Sequence, residues 1–98
     1  MKNFLNFLGI AVRARKFISG TELTINGMRS GEVKLVIMAQ DCSARTKKDL
    51  HNKANYYNVP VIDTISSNSL KMAIGKDRKV MGITDFGFAK RLKELMDN

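Results

Sequence analysis

The chain has 98 residues, of which 44% are hydrophobic, and this is enough for one domain with its own core. Seventeen lysines and arginines against nine aspartates and glutamates give a net charge of +8, which favours a polyanionic partner such as nucleic acid. Cys42 is the only cysteine, which excludes an intramolecular disulfide, and no segment approaches the roughly 20 apolar residues that span a membrane. The composition therefore predicts a soluble, cytoplasmic protein.

Helices and strands alternate in the first half of the chain. Apolar residues at helical spacing predict a helix from Asn3 to about Arg13, and a short strand follows at Phe17-Ile18. A second helix is predicted at about 21–30, because N-cap residue types precede it and Gly31 suits its C-terminal stop. The apolar run at 34–39 predicts a buried strand. The first 48 residues carry nine basic and three acidic side chains, so we expect this half to supply most of the basic surface.

The second half continues the same alternation. A helix is predicted at about 44–57, a strand at 59–63, a helix at 66–75 and a strand at 80–84, with an amphipathic helix at the end. Caps for the three helices of this half are offered by Asp41 and Ser43, by Ser66-Ser67 and by Asp85. Alternating strands and helices imply parallel pairings through right-handed crossovers. The elements therefore predict an α/β fold with one central, mixed sheet that is covered by helices on both faces.

The sequence offers no set of residues for catalysis or for metal binding. His51 is the only histidine, and its position in the middle of a helix is typical of a solvated surface residue. Cys42 lies next to a helix N-terminus, but no second cysteine and no nearby histidine supports a nucleophile or a metal site. Phosphate-binding glycine motifs are absent. We therefore expect a non-enzymatic protein with no cofactor and no metal.

Three polar or basic elements are candidates for binding phosphate or bases. They are the cluster Arg13, Arg15 and Lys16, the helix start from Gly20 to Asn26, and the loop from Lys76 to Lys79. Each has an ordinary structural explanation as well. Cations at a helix C-terminus stabilise the helix dipole, and a polar helix stripe or a charged loop is often only solvated. Taken together on a chain of this charge, the three elements favour RNA.

Seven segments, in this order and at this spacing, carry a family resemblance. They are Leu8-Gly9, Arg13-Ala14-Arg15-Lys16, Ser19-Gly20, Gly31 to Asp41, Asn55 to Pro60, Leu70 to Lys76 and Thr84 to Ala89. The chain resembles the kink-turn-binding ribosomal protein family that is named for the proteins L-seven-Ae and L-thirty-e, and within it the small bacterial YlxQ-like branch. This resemblance covers nearly the whole chain. It implies a single domain over residues 1–98, a three-layer α/β/α sandwich around a small, mostly four-stranded mixed sheet, and an RNA partner.

The resemblance also implies where the RNA binds. Family members dock the start of the second helix on a sharply bent duplex flanked by sheared G·A pairs, and the loop after the fourth helix touches the extruded nucleotides. The residues expected to hold phosphate through their charges are Arg13, Arg15, Lys16, Lys76, Arg78 and Lys79. Gly20 and Thr21 would offer backbone amides, Glu22 and Asn26 would face base edges, and Val80 would lie against an unstacked base.

The start of the second helix departs from the family pattern and leaves two functions open. Where the family has Asn, Glu and Lys, this chain has Glu22, Leu23 and Asn26. The first prediction is a ribosome-associated protein that recognises a kink-turn or a similar internally looped RNA, including ribosomal RNA. The alternative is a protein-interaction module of the same fold with only non-specific RNA affinity, in which Leu23 is an exposed apolar anchor for ribosomal or other proteins. We expect a monomer in either case.

Overall fold

The order of elements in the computed structural model, which describes residues 1–97, agrees with the order predicted from the sequence. The five helices of this region are α1 (Lys2–Arg13), α2 (Thr21–Ser30), α3 (Ala44–Tyr57), α4 (Ser67–Ile74) and α5 (Phe86–Asp97). Its four strands are β1 (Phe17–Ser19), β2 (Leu35–Ala39), β3 (Val61–Ile65) and β4 (Val80–Ile83).

The strands form one mixed sheet in the order β1-β4-β2-β3, which confirms the predicted central sheet. The expected parallel pairing holds only for β2 and β3, because β4 runs antiparallel to both of its neighbours. The reason lies in the connection from β3 to β4. Helix α4 has eight residues and is about 12 Å long, so the following loop brings the chain back to the end of the sheet at which β3 finishes. There the N–H of Ala39 donates to the carbonyl of Lys79 at 2.7 Å, and β4 starts beside the end of β2.

Strand β2 lies in the centre of three layers and is buried on both sides. Leu35, Ile37 and Ala39 point into a core cluster with α1, α4 and α5. Val36 and Met38 point into a second cluster with α2 and α3. The alternation of side chains along one strand thus serves two apolar layers, which explains the continuous apolar run in the sequence. The predicted three-layer α/β/α sandwich is confirmed.

Helix α2 lies close against β4 because each of them has a glycine, Gly27 and Gly82, where it faces the side chain of Val33. A Cβ atom added to Gly82 would lie 2.7 Å from Cγ2 of Val33, and one added to Gly27 would lie 2.5 Å from the same methyl group. The methyl groups of Val33 occupy the space that larger residues at these positions would need. This close packing sets the position of α2, and with it the position of the helix N-terminus.

Side-chain caps begin three of the helices, as the sequence predicts. In each case the capping oxygen accepts a hydrogen bond from the backbone N–H three residues later. The caps are Ser43, Ser66 and Asp85, with distances of 3.2, 3.1 and 2.9 Å. Helix α2 starts differently, because its N-cap Gly20 has no side chain that could accept a hydrogen bond.

The third strand begins two residues later than predicted. The N–H of Val59 donates to the carbonyl of Ala54 at 2.8 Å and so closes the end of α3. Pro60 has no N–H to donate to a neighbouring strand. The predicted strand at 59–63 is therefore observed at Val61–Ile65.

Candidate nucleic-acid interface

One end of the sheet brings the start of α2 next to the loop between α4 and β4. Strand β1 pairs antiparallel with β4, and Ser19 lies opposite Met81. The next residue, Gly20, donates its N–H to the carbonyl of Val80 at 2.9 Å. The first turn of α2 and the cationic loop at 75–79 are therefore adjacent, although they are far apart in the sequence.

The first turn of α2 presents free backbone amides. Gly20 adopts a φ of 101°, which favours glycine, and its own N–H is taken by the carbonyl of Val80. The expectation that Gly20 offers its amide is therefore wrong. The following N–H groups, those of Thr21, Glu22 and Leu23, have no acceptor among residues 1–97. Together with the positive end of the helix dipole, these three amides form an arrangement that attracts anions.

Glu22 and Asn26 lie one turn apart on α2, and both are exposed. The amide oxygen of Asn26 accepts a hydrogen bond from Arg29 at 3.1 Å, and Arg29 also donates to the hydroxyl of Tyr57 at 3.2 Å. Arg29 thus ties the predicted polar stripe to α3 and orients the amide of Asn26. A carboxylate that accepts and an amide that donates suit the donors and acceptors of base edges.

The structure separates the first basic cluster into different surfaces. Arg15 lines a groove together with Lys76 and Arg78. Arg13 lines another cleft, between α1 and α4. Lys16 lies at the far end of β1, where its carbonyl pairs with the residue after β4. Of the three expected cations, only Arg15 is brought into the same groove as residues of the loop at 75–79.

Arg15 has an unusual backbone conformation. Its φ is 59°, in the left-handed region that non-glycine residues rarely adopt. The N–H of Arg15 donates to the carbonyl of Val12, and the N–H of Lys16 donates to that of Ala11, both at 3.0 Å. This pair of bonds is a Schellman motif, which ends many helices and usually has glycine where Arg15 stands. Arg15 therefore has a strained backbone at a position that favours glycine.

The model of the ribosomal protein L7Ae/L30e/S12e/Gadd45 family matches residues 2–93 of the chain. The chain belongs to this family. This confirms the resemblance seen in the sequence, and the family agrees with the expectation of a non-enzymatic protein.

Two bacterial relatives have nearly the same length as this family member, and both are named RNA-binding protein YlxQ. The relative from Enterococcus faecium is 46% identical over 93 residues, which cover 95% of this chain and 90% of the relative. The one from Bacillus subtilis (strain 168) is 44% identical over 91 residues, with 92% and 91% covered. They confirm the assignment to the YlxQ-like branch.

Two solved structures share the fold of this L7Ae-family chain. A protein of unknown function from Bacillus halodurans C superposes with a TM-score of 0.94 at 38% identity, over 97% of each chain. The Giardia lamblia 15.5kD RNA binding protein superposes with a TM-score of 0.75 at 20% identity, over 95% of this chain and 81% of that one. The fold is therefore retained even where most residues differ.

Val80 of this L7Ae-family chain is buried, whereas it was expected to lie against an unstacked base. Its side chain is only 5% exposed and packs in the core cluster beside α2 and α3. A base cannot stack on a side chain that the core covers. Val80 instead positions α2, because its carbonyl accepts the hydrogen bond from Gly20.

Asp41 stabilises the same end of the sheet. Its carboxylate accepts hydrogen bonds from the hydroxyl and from the N–H of Ser67, at 2.6 and 2.8 Å. These two bonds, with a smaller contribution from the charge of Lys79, hold the pKa of Asp41 below its usual range. The bonds join the turn after β2 to the start of α4, the helix that leads into the cationic loop.

The groove that contains Arg15 has an apolar floor that was not predicted from the sequence. Phe17 and Ser19 of β1 line it, together with Val12 of α1 and Ile74 of α4. A signal was present, because Phe17 and Ser19 are spaced by two residues and so share one face of the strand β1. The predicted strand at 17–18 ended before Ser19 and so did not include this pair of residues.

The single histidine lies outside this surface. Nε2 of His51, on α3, is 2.8 Å from a carboxylate oxygen of Asp63 on β3. Over residues 1–97, no three side chains of His, Cys, Asp or Glu are grouped as metal ligands would be. No helix of this region is long and apolar enough to cross a membrane.

Proposed function

We propose that this chain is a non-enzymatic RNA-binding protein that recognises a kink-turn or a similar internally looped RNA. The observation that carries the proposal is the junction of β1 and β4. It places the free amides of α2 beside a loop with three cations, Lys76, Arg78 and Lys79. The names of the two YlxQ relatives support RNA as the partner. Ribosome association and a cytoplasmic location belong to the same proposal and rest on the family resemblance.

Each part of this surface has a distinct task in the proposed complex. The amides of Thr21, Glu22 and Leu23 donate hydrogen bonds to phosphate oxygens, and the helix dipole favours the negative charge there. The loop cations neutralise further phosphates without reading sequence. The side chains of Glu22 and Asn26 contact base edges, which gives the interaction its preference for particular pairs.

A bent RNA fits this surface better than a straight duplex does. Side chains cannot read the deep, narrow major groove of a regular A-form helix, whereas a bend with non-canonical pairs exposes base edges. Glu22 and Asn26 are exposed on a helix that is held rigidly against β4 through Gly82 and Val33. A helix end held in this way, with exposed polar side chains, therefore favours an RNA whose base edges are already exposed.

The test is a binding titration with a kink-turn RNA and with a matched duplex in which Watson–Crick pairs replace the G·A pairs. Both RNAs are measured at two salt concentrations. We expect the kink-turn RNA to bind at least about tenfold more tightly, a difference of about 1.4 kcal/mol, at both concentrations. Equal affinities that fall steeply with salt would contradict kink-turn recognition and would leave only a basic surface.

A second candidate function rests on Leu23, which is 59% exposed at the start of α2. An exposed leucine beside free amides is a suitable anchor for a protein partner. This candidate requires equal affinity for the two RNAs. It also requires a soluble complex with a ribosomal or other protein that the change Leu23→Ser abolishes.

A further inference from the structure

A cleft between α1 and α4 follows one side of α1. Its volume is about 590 Å³, and we call it the α1/α4 cleft. The lining residues of α1 recur at each turn of the helix and are Lys2, Leu5, Asn6, Gly9, Ile10 and Arg13. Met1, Ser69, Met72 and Ala73 complete the lining. The cleft therefore extends along α1, whose 12 residues have a length of about 18 Å.

The floor of the α1/α4 cleft forms where the backbones of the two helices come close together. A Cβ atom added to Gly9 would lie 3.0 Å from the carbonyl oxygen of Ala73. The larger apolar lining residues come from both helices, Leu5 and Ile10 from α1 and Met72 from α4. Small residues at the helix contact and larger ones beside it form a groove into which one side of a further helix can pack.

Apolar side chains in this cleft are exposed to solvent. Met72 is 80% exposed and Ile10 is 45% exposed. Six large apolar residues are exposed among residues 1–97, and three of them, these two and Met1, line this one cleft. The other three lie on three different helices. Single exposed apolar residues are ordinary, whereas a group of them marks a docking surface, and methionine adapts its shape to a partner.

The charged side chains around the cleft are positive. Lys2 and Arg13 lie at the two ends of α1, and Lys71 is exposed on α4. Neither helix contains Asp or Glu, and none of these cations forms an ion pair within the part of the chain that the structure describes. Asp41 contacts the start of α4, but both of its carboxylate oxygens accept hydrogen bonds from Ser67. An apolar groove with unpaired cations at its ends is complementary to an apolar stripe that carboxylates flank.

The same features make RNA or a second copy of the chain a poor occupant. The cleft has no aromatic ring on which a base could stack, and it lies on the face of the sheet opposite α2. A second copy would bring cations against cations, since each chain carries a net charge of +8. Arg13, which the sequence led us to expect at a phosphate, is thus placed beside a surface that suits a different partner.

We propose that the α1/α4 cleft binds an acidic amphipathic helix of a partner protein. The apolar side of that helix packs on Leu5, Ile10 and Met72, and its carboxylates pair with Lys2 and Arg13. Because the cleft and α2 lie on opposite faces of the sheet, the chain can hold this helix and an RNA at the same time. The proposal does not depend on which RNA, if any, the chain recognises.

The experiment starts with a selection from displayed peptides of about 14 residues, which as helices match the length of the cleft. Leu, Ile and Met occupy positions at helical spacing, and the other positions are random in Glu, Lys, Gln and Ala, so the library has no charge bias. The unmodified protein is the bait, in the absence of RNA. We expect the enriched peptides to be acidic. Enrichment of neutral or basic peptides, or of none, would overturn the proposal.

Met72→Glu locates the peptide, with Tyr56→Glu as the matched control. The two residues are exposed to nearly the same extent, 80% and 77%, and both variants add one negative charge. Tyr56 lies on α3, on the other face of the sheet. We expect Met72→Glu to weaken binding of the most enriched peptide at least about tenfold and Tyr56→Glu to leave it nearly unchanged. Equal affinities of the two variants would overturn the proposal.

Arg13→Gln tests the predicted ion pair at the end of the cleft. We expect it to weaken binding of the same peptide about threefold and to reduce the salt dependence of its dissociation constant. Arg45→Gln removes the same charge from an exposed position on α3 and should have a smaller effect on both. Equal losses in the two variants would show that the peptide responds only to net charge, which contradicts the pairing with Arg13.

Two further measurements distinguish a protein partner from RNA and from a membrane. One equivalent of the kink-turn RNA should leave the peptide bound, and release of the peptide would assign the cleft to RNA and overturn the proposal. Binding to phosphatidylglycerol vesicles should be equal for Met72→Glu and Tyr56→Glu, whereas a selective loss in Met72→Glu would assign the cleft to a membrane. Peptide binding without preference for the kink-turn RNA would contradict only the proposed function, and the reverse result only the α1/α4 cleft.

Discussion

Arg15 combines a strained backbone with a charged side chain in the groove that Lys76 and Arg78 also line, so the two contributions can be separated by mutation. In Arg15→Gly, the residue fits a φ of 59°, and we expect the free energy of unfolding to rise by up to about 1 kcal/mol. In the proposed RNA complex, the same variant loses one phosphate contact. We therefore expect it to bind all RNAs more weakly, with a salt dependence of log Kd that is flatter by about one unit.

Denaturant unfolding and titrations over a salt series measure the two effects of Arg15→Gly. Arg15→Ala should show the loss in binding and the flatter salt slope without the gain in stability. Arg91→Ala removes the same charge from α5, where Arg91 lies 3.7 Å from Glu94, and should leave the salt slope nearly unchanged. A salt slope of Arg15→Gly equal to that of the unmodified protein would remove Arg15 from the phosphate contacts.

Glu22 is the residue to which we assign base recognition at the start of α2. We expect Glu22→Ala to weaken kink-turn binding by about 1–3 kcal/mol and to narrow the difference from the Watson–Crick control RNA. Loss of a negative charge near RNA would by itself strengthen binding, so weaker binding identifies a direct contact. Both RNAs are titrated with the variant.

Glu32→Ala is the control for Glu22→Ala, because it removes the same charge just beyond the other end of α2. It should leave the difference between the two RNAs as it is. Equal losses on both RNAs in Glu22→Ala would show that Glu22 does not recognise bases.

At the scale of elements, α2 combines an N-cap glycine, free amides and close packing against β4. Leu23 and Asn26 stand where the resemblance to kink-turn binders leads us to expect Glu and Lys. We expect the double change Leu23→Glu and Asn26→Lys to widen the preference for the kink-turn RNA about tenfold. The reason is that both new side chains can form charge-assisted hydrogen bonds at the exposed helix start.

This double change leaves the net charge as it is, so a general electrostatic gain is not expected. The measurement is the ratio of the two RNA dissociation constants at two salt concentrations, compared with that of the unmodified protein. An unchanged ratio would mean that α2 does not approach the RNA as it does in the kink-turn binders of the family.

At the scale of the whole molecule, Asp41 couples stability to pH. The hydrogen bonds from Ser67 lower the pKa of Asp41 in the folded protein, so ionised Asp41 stabilises the fold above the pKa of the unfolded chain, about 3.9. This stabilisation is lost as the pH falls below about 4 and through the folded pKa. We therefore expect Asp41→Asn to lower the melting temperature at neutral pH, with a difference that shrinks in acid.

Melting curves between neutral pH and acid pH test this expectation. Asp49→Asn serves as the control, because Asp49 is exposed on α3 and makes no hydrogen bond to residues 1–97 through its side chain. At neutral pH, Asp49→Asn should lower the melting temperature less than Asp41→Asn does. A constant difference between Asp41→Asn and the unmodified protein down to acid pH would contradict the role of the Ser67 bonds.

The whole molecule also redistributes the charge that the sequence shows. The first 48 residues carry most of the net positive charge, and we expected them to form most of the basic surface. In the fold, Arg15 from this half shares a groove with Lys76 and Arg78 from the other half, while Arg13 lies in a different cleft. This groove is therefore formed by both halves of the chain, which are joined through the pairing of β1 with β4.

Local signals were sufficient to predict the elements of this protein. Three helices are capped by the predicted side chains of Ser43, Ser66 and Asp85, because a cap acts within one turn of the chain. The apolar run of β2 predicted its burial correctly, because a strand that serves two core clusters has no polar face. Composition, element order and the family resemblance are read along the chain and do not require knowledge of which elements become neighbours in the fold.

Only the tertiary structure decided the direction of β4, the burial of Val80 and the assembly of the groove that contains Arg15. These features depend on contacts between residues that are far apart in the chain, such as the hydrogen bond from Gly20 to Val80 and the packing of Val33 against Gly82. Their free energies are determined by which strands become neighbours, and no local pattern in a sequence states that. The sequence by itself thus determined what the parts are and the charge they carry, and the packing of the sheet determined which of them meet.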